Sequence, residues 1–148
     1  MITDKVYIFD LDGTIALNDH RQHFLEGDNK DWDAFFEACH NDEINEAIRS
    51  LMWAVNQYGY KIYIVTGRSK AVQAKTISWL RRYSVPYDKL VMRPEDNYQS
   101  DDDLKPFMLH SILDRSDEVQ AIFDDRNSVV EMWRDNGYQC FHVADGDF

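Results

Sequence analysis

The chain has 148 residues, 44% of them hydrophobic and 29% charged, which fits one soluble domain large enough to bury a core. Its net charge of −11 argues against tight binding along an extended nucleic-acid backbone, which needs clustered Lys and Arg. No apolar run reaches the length of a membrane span and "MITDKVYIFDLDG" carries no signal-peptide pattern, so a cytoplasmic location is expected; Cys39 and Cys140 stand apart and read as reduced, packed thiols.

The first predicted strand is "KVYIFD" (5–10), followed at once by "LDGT". Residues 17–40, polar early and aromatic late (Trp32, Phe35, Phe36), do not fit a strand or crossover helix and read as a small cap over the strand ends, its aromatics packing inward. Ile44, Ala47, Ile48, Leu51, Met52 and Val55 recur at helical spacing, and that helix stops at Tyr58-Gly59. A second strand (60–66) leads into a helix from about Ser69 to Tyr83. Then come a strand at 89–92, a helix over roughly Lys105 to Leu113 held by Pro106 to begin near the lysine, and a strand at 119–124. A helix from Asn127 to Asn136-Gly137 and a strand at 138–143 complete the chain. The alternation predicts an α/β fold of three layers, Rossmann-like, with a five-stranded parallel sheet and a cap inserted after strand one.

In such a sheet ligands bind at the carboxyl ends of the strands. Strand one ends in Asp10 with Asp12 following; strand two ends in Thr66, before Gly67-Arg68; strand four ends in Asp124 and Asp125, before Arg126; Lys105 follows strand three. Carboxylates gathered this closely require a cation, and hard oxygen ligands select Mg²⁺. One carboxylate facing phosphorus can attack it, a second can protonate the leaving oxygen and later activate water, and a lysine and a hydroxyl can hold the non-bridging oxygens. The same residues have plainer readings: Asp-Gly as a turn, Asp124-Asp125 as a helix N-cap, "SDDD" as a solvated helix start, and the arginines as surface ion pairs.

"FDLDGT", "VTGRS", a lysine and "FDDR", in that order and at strand ends, resemble the four motifs of the haloacid dehalogenase (HAD) superfamily over essentially the whole chain. The resemblance implies Asp10 as nucleophile, Asp12 as general acid/base, Thr66 and Lys105 on the phosphoryl group, and Mg²⁺ held by Asp10, the Asp12 carbonyl and Asp124, with Asp125 close by. More narrowly, the last 28 residues (121–148), "GDF" included, resemble the phosphatase domain of phage polynucleotide kinase-phosphatases. That likeness extends to Arg21, nine residues after Asp12, to Arg68 and to Asp101. It implies a 3′-phosphatase acting on a nucleic-acid end or nucleotide in end healing, in a host cytoplasm if phage-encoded. Arg21, Arg68 and Arg126 would contact substrate, with Gly67 and Asp101 in support. The sequence has no G-x-x-x-x-G-K-[ST], so no kinase half is expected. The rivals are a nucleotidase for free nucleoside 5′-monophosphates and a non-catalytic domain that recognises phosphorylated ends.

Overall fold

The computed structural model describes residues 4–148. The elements run β1 (Asp4–Phe9), β2 (Ala16–Leu17), α1 (Trp32–Glu37), β3 (Glu43–Ile44), α2 (Glu46–Gln57), β4 (Lys61–Ser69), α3 (Gln73–Arg82), β5 (Lys89–Arg93), α4 (Asp101–Ile112), β6 (Asp117–Asp124), α5 (Asn127–Asp135) and β7 (Cys140–His142). β5-β4-β1-β6-β7 form one sheet with every neighbouring pair parallel. β1 is central, and the chain builds outward from it first on the β4 side and then on the β6 side. That change of direction opens a crevice at the carboxyl end of β1.

Alternation along the strands supplies both faces of the core. Phe9, Ile62, Ile64, Ala121 and Phe123 meet Ile48, Met52 and Val55 of α2 and Trp79 and Leu80 of α3. Val6, Ile8, Tyr63, Val65 and Ile122 point the other way, to Leu104, Met108 and Leu109 of α4 and Val129, Val130 and Trp133 of α5. Each fully buried aliphatic or aromatic side chain contributes about 1.5–3 kcal/mol, so this double-faced packing fixes the strand ends rigidly. Asn45 caps α2, its side chain accepting from the Ile48 amide at 3.5 Å, and Gly59 ends the helix with φ of 95°. Cys39 and Cys140 are both buried free thiols.

Three boundaries differ from expectation. The helix expected from Lys105 begins four residues earlier, at Asp101. The Ser100 carbonyl accepts from the Asp103 and Leu104 amides at 3.1 and 3.0 Å, and three aspartates sit at the positive end of the helix. Pro106 is therefore inside α4 rather than at its start. The carbonyl that loses its helical donor to the proline ring, that of Asp102, lies in the first turn of the helix. The helix expected from Ser69 opens as a single 3₁₀ turn at Lys70–Val72, and α3 starts at Gln73. The cap is wider than 17–40. β2 and β3 pair antiparallel, Ala16 with Ile44 and Leu17 with Glu43, and tie off an insertion holding α1 and two 3₁₀ segments, Asp19–Leu25 and Ala38–Asn41. No helix among the described residues is long and apolar enough to cross a membrane.

Candidate active site

The tight turn after β1 begins the site. The Leu11 carbonyl accepts from the amides of Thr14, Ile15 and Ala16, at 3.2, 3.0 and 2.9 Å, and Gly13 takes φ of 84°. A side chain on Gly13 would also collide with the Asp125 carboxylate. The "DLDGT" stretch is thus both a turn and a device that aims two carboxylates. Asp10, anchored by its amide to the Phe123 carbonyl at 2.9 Å, is 6% exposed. From α4, Lys105 reaches under the strand ends and places Nζ 2.9 Å from both Asp10 Oδ1 and Asp124 Oδ2. Thr14 Oγ1 donates to Asp10 Oδ2 at 3.3 Å.

Burial and the neighbouring Asp124 push the Asp10 carboxyl up, against the pull of Lys105. Burial also raises Asp125, to about 6. Lys105 stays cationic: burial opposes its charge, but Asp10 and Asp124 outweigh that and raise its pKa. Asp124 does not cap α5. Its Oδ1 instead accepts from the Asp125 and Arg126 amides at 2.9 and 3.4 Å, while the first amide of α5, that of Asn127, is satisfied by the Gly146 carbonyl. Carboxylate oxygens of Asp10, Asp124 and Asp125 lie within 4.8 Å of one another, all buried. Three hard oxygen donors converging around a single lysine retain net negative charge, and that donor set fits a divalent cation such as Mg²⁺.

Asp12 faces a different environment. Arg68 Nη2 donates to Asp12 Oδ1 at 2.5 Å and Nε to Oδ2 at 3.3 Å; Arg21 Nη2 donates to the same Oδ1. Burial alone would raise this carboxyl, yet Arg68 and Arg21 together hold it well below the usual range. Behind the two arginines is Asp42, 1% exposed, which the sequence reading passed over. Its Oδ1 accepts from Arg21 Nε at 2.8 Å, and its Oδ2 from Arg21 Nη2 at 2.7 Å and Arg68 Nη2 at 3.4 Å. His20 Nε2 lies 2.6 Å from Asp42 Oδ1. Arg21 also donates to the Phe35 carbonyl at 3.1 Å and Arg68 to Thr76 Oγ1 at 3.1 Å. Both arginines, expected against substrate, are thus fully buried and have protein groups as their direct partners.

Thr66 ends the buried run of β4, and its Oγ1 accepts from the Arg68 amide at 3.0 Å. A Cβ on the next residue, Gly67, would collide with the Asp101 carboxylate. Asp101 in turn accepts from Arg93 Nη2 and, at 3.4 Å, from Arg126 Nη1. Arg126 Nε donates to the Phe148 carbonyl at 2.9 Å. All the residues expected in the site except Arg21 line one cleft of about 860 Å³, roofed by the cap. Trp32 and Phe36 line it too, rather than turning wholly inward.

Strand-end carboxylates around a buried lysine, on this parallel sheet, suit a phosphoric monoester hydrolase of the HAD class, and the family match bears that class out. A class C acid phosphatase of Bacillus anthracis shares the fold at a TM-score of 0.71 and 15% identity, over 98% of this chain and 68% of that one. The family profile described as the polynucleotide kinase PNKP phosphatase domain matches residues 4–148, and the chain belongs to that family. A relative from Autographa californica nuclear polyhedrosis virus, described as a bifunctional polynucleotide kinase/RNA ligase, is 30% identical over 132 residues, covering 88% of this chain and 18% of the relative. A chain of the Pnkp1/Rnl/Hen1 RNA repair complex superposes at a TM-score of 0.86 with 31% identity, over 99% of this chain and 44% of that one. The chain therefore spans less than half the length of these relatives.

Proposed function

We propose that this chain is a single phosphatase domain that removes a 3′-phosphate from a nucleic-acid end or nucleotide through an aspartyl-phosphate on Asp10. The observation that carries the reading is the buried Asp10 carboxylate bridged by Lys105 to Asp124, two residues from an arginine-clamped Asp12. An Asp10 oxygen attacks phosphorus, the bond to the 3′-oxygen breaks, and that oxygen takes a proton from Asp12. A water oxygen then attacks phosphorus, passes its proton to Asp12, and the Asp10–phosphorus bond breaks to release phosphate. Lys105 and Thr66 hold the non-bridging oxygens. Asp10, the Asp12 carbonyl, Asp124 and Asp125 would hold Mg²⁺, which supplies charge neutralisation at the phosphoryl oxygens.

Arg21 and Arg68 act through Asp12. Their clamp favours its anion, the form that accepts the proton of water in the second step; the proton gained there is the one the next turnover delivers to the leaving 3′-oxygen, and the same clamp makes the protonated form a strong donor. Gly67, Asp101 and Arg126 shape the opposite side of the cleft. Family membership supports an end-healing substrate, and the names of the relatives point toward RNA ends. Hydrolysis of 3′-phosphorylated oligonucleotides, assayed beside a panel of nucleoside 5′-monophosphates, tests the substrate. Asp10→Asn should abolish turnover with Mg²⁺; near-normal activity in that variant would sink the covalent mechanism.

A further inference from the structure

The aromatic residues of the cleft have no task in the chemistry at Asp10. Phe35 is buried, with the Arg21 guanidinium 4.3 Å from its ring centre. Trp32 stands edge-on to Phe35, ring centres 5.7 Å apart, and packs on Phe36 at 5.8 Å, yet it remains 44% exposed and lines the cleft. From the loop after β5, Tyr98 lines the same cleft and is 89% exposed. That loop is pinned on both sides of the tyrosine. Arg93 donates to the carbonyls of Asn97 at 3.3 Å and Gln99 at 2.5 Å, and through Nε to that of Gly67 at 2.8 Å. Asn97 Oδ1 accepts from the Gln99 amide at 2.9 Å. An aromatic ring presented to solvent by a braced loop, lining the same cleft as a half-exposed indole, is a surface prepared for a planar ligand.

The charge of the cleft narrows what that ligand is. Away from Asp10 the cleft is lined by Glu26, Asp33, Glu37 and Glu95 against Lys30 and Arg93, so a run of backbone phosphates would meet more carboxylates than cations along the walls. Stacking on aromatic faces provides affinity that does not need cations and tolerates any base. Resting on the 3′-phosphatase reading, we propose that Trp32 of the cap and Tyr98 of the β5–α4 loop form a base-stacking subsite for the one or two nucleotides that carry the 3′-phosphate. The phosphoryl group enters at Asp10 and the bases lie against these rings. The chain then selects a nucleic-acid end over a bare phosphomonoester without binding a long strand.

The test compares kcat/KM on a 3′-phosphorylated oligonucleotide with kcat/KM on the same oligonucleotide made abasic at its two terminal positions. The wild-type ratio should be about tenfold or more. Trp32→Ala and Tyr98→Ala should each bring it toward one, chiefly through KM on the base-bearing end, and Trp32→Phe and Tyr98→Phe should retain most of it. A ratio near one in the wild type, or losses in the alanine variants that are equal on both substrates, overturns the subsite. Fluorescence separates this from the parent reading. Binding of the base-bearing end to the Asp10→Asn chain should quench an emission component that Trp32→Phe removes. Quenching by that end, with no hydrolysis by the wild type, would leave the subsite standing and reject the phosphatase reading.

Discussion

Arg21 meets Asp42 twice, Nε to Oδ1 at 2.8 Å and Nη2 to Oδ2 at 2.7 Å, and the same Nη2 also donates to Asp12. This bidentate pair fixes the plane of the guanidinium, so the cap segment that supplies Asp42 sets the direction from which Asp12 is held. Two arginines and two aspartates balance in charge, with Arg21, Arg68 and Asp42 buried and only Asp12 partly open to the cleft. Asp42→Asn leaves one buried positive charge uncompensated, and a loss of about 3–5 kcal/mol is expected in urea unfolding. Turnover should fall as well, since the arginines lose their bearing on Asp12. A double-mutant cycle with Asp12→Asn should show coupling above about 0.5 kcal/mol in kcat/KM; strict additivity would separate Asp42 from the chemistry.

Lys105 is the only lysine or arginine paired with Asp10 and Asp124 among the described residues. Lys105→Met removes that charge while keeping much of the stem that packs beneath the strand ends. Three buried carboxylates then face one another, and the chain should lose about 3–5 kcal/mol at neutral pH. Mg²⁺ should restore part of the stability and little of the turnover, measured as urea midpoints with and without the ion alongside phosphate release.

The metal-free protein should be less stable at pH 7.5 than at pH 5. Burial and Asp124 raise Asp10, and burial raises Asp125 to about 6. Both folded-state values lie above the unfolded value of about 3.9. Their contribution to stability is therefore complete below about pH 3.9; that of Asp125 is lost as pH rises through about 6, and that of Asp10 as pH rises through its own raised folded-state value. Asp12 has the opposite sign, but its folded value lies below that of the unfolded chain, so it stays ionised throughout this window. Mg²⁺ bound to the ionised carboxylates should accordingly raise Tm more at pH 7.5 than at pH 5. Thermal scans in EDTA and in Mg²⁺ at the two pH values check this, and equal shifts would contradict it.

Most of the five-stranded sheet and its strand-end carboxylates was legible because those features are local. Val-, Ile- and Phe-rich runs mark the strands, Gly59 ends α2, and Asp10, Thr66 and Asp124 each stand at the end of such a run. Asp42 was not legible. Nothing in "CHNDEIN" separates it from a solvated loop carboxylate, because its partners Arg21 and Arg68 lie 21 and 26 residues away. The start of α4 was misjudged because Pro106 is a stronger local signal than an acidic first turn, although a single proline in the second turn costs the helix only one hydrogen bond near its end. The split of the aromatics along the cleft, Phe35 buried and Trp32 half-exposed, depends on how the cap seats on the strand ends, which periodicity over six residues does not reveal.

Gly67 separates crowding from backbone freedom. It has no positive φ, and the three atoms nearest to where its Cβ would be all belong to the Asp101 carboxylate. Asp101 has little room to yield, since Arg93 and Arg126 both donate to it. Gly67→Ala should therefore push Asp101 off its partners, disturb Arg126 at the cleft and lower kcat/KM on a 3′-phosphorylated oligonucleotide by about tenfold or more, roughly 1.4 kcal/mol. Asp101→Ala clears the space that the added methyl needs. The double variant should then be no worse than Asp101→Ala alone, the non-additivity expected of two side chains in contact. If the two losses instead multiply, Gly67 matters through the strand end itself and not through Asp101.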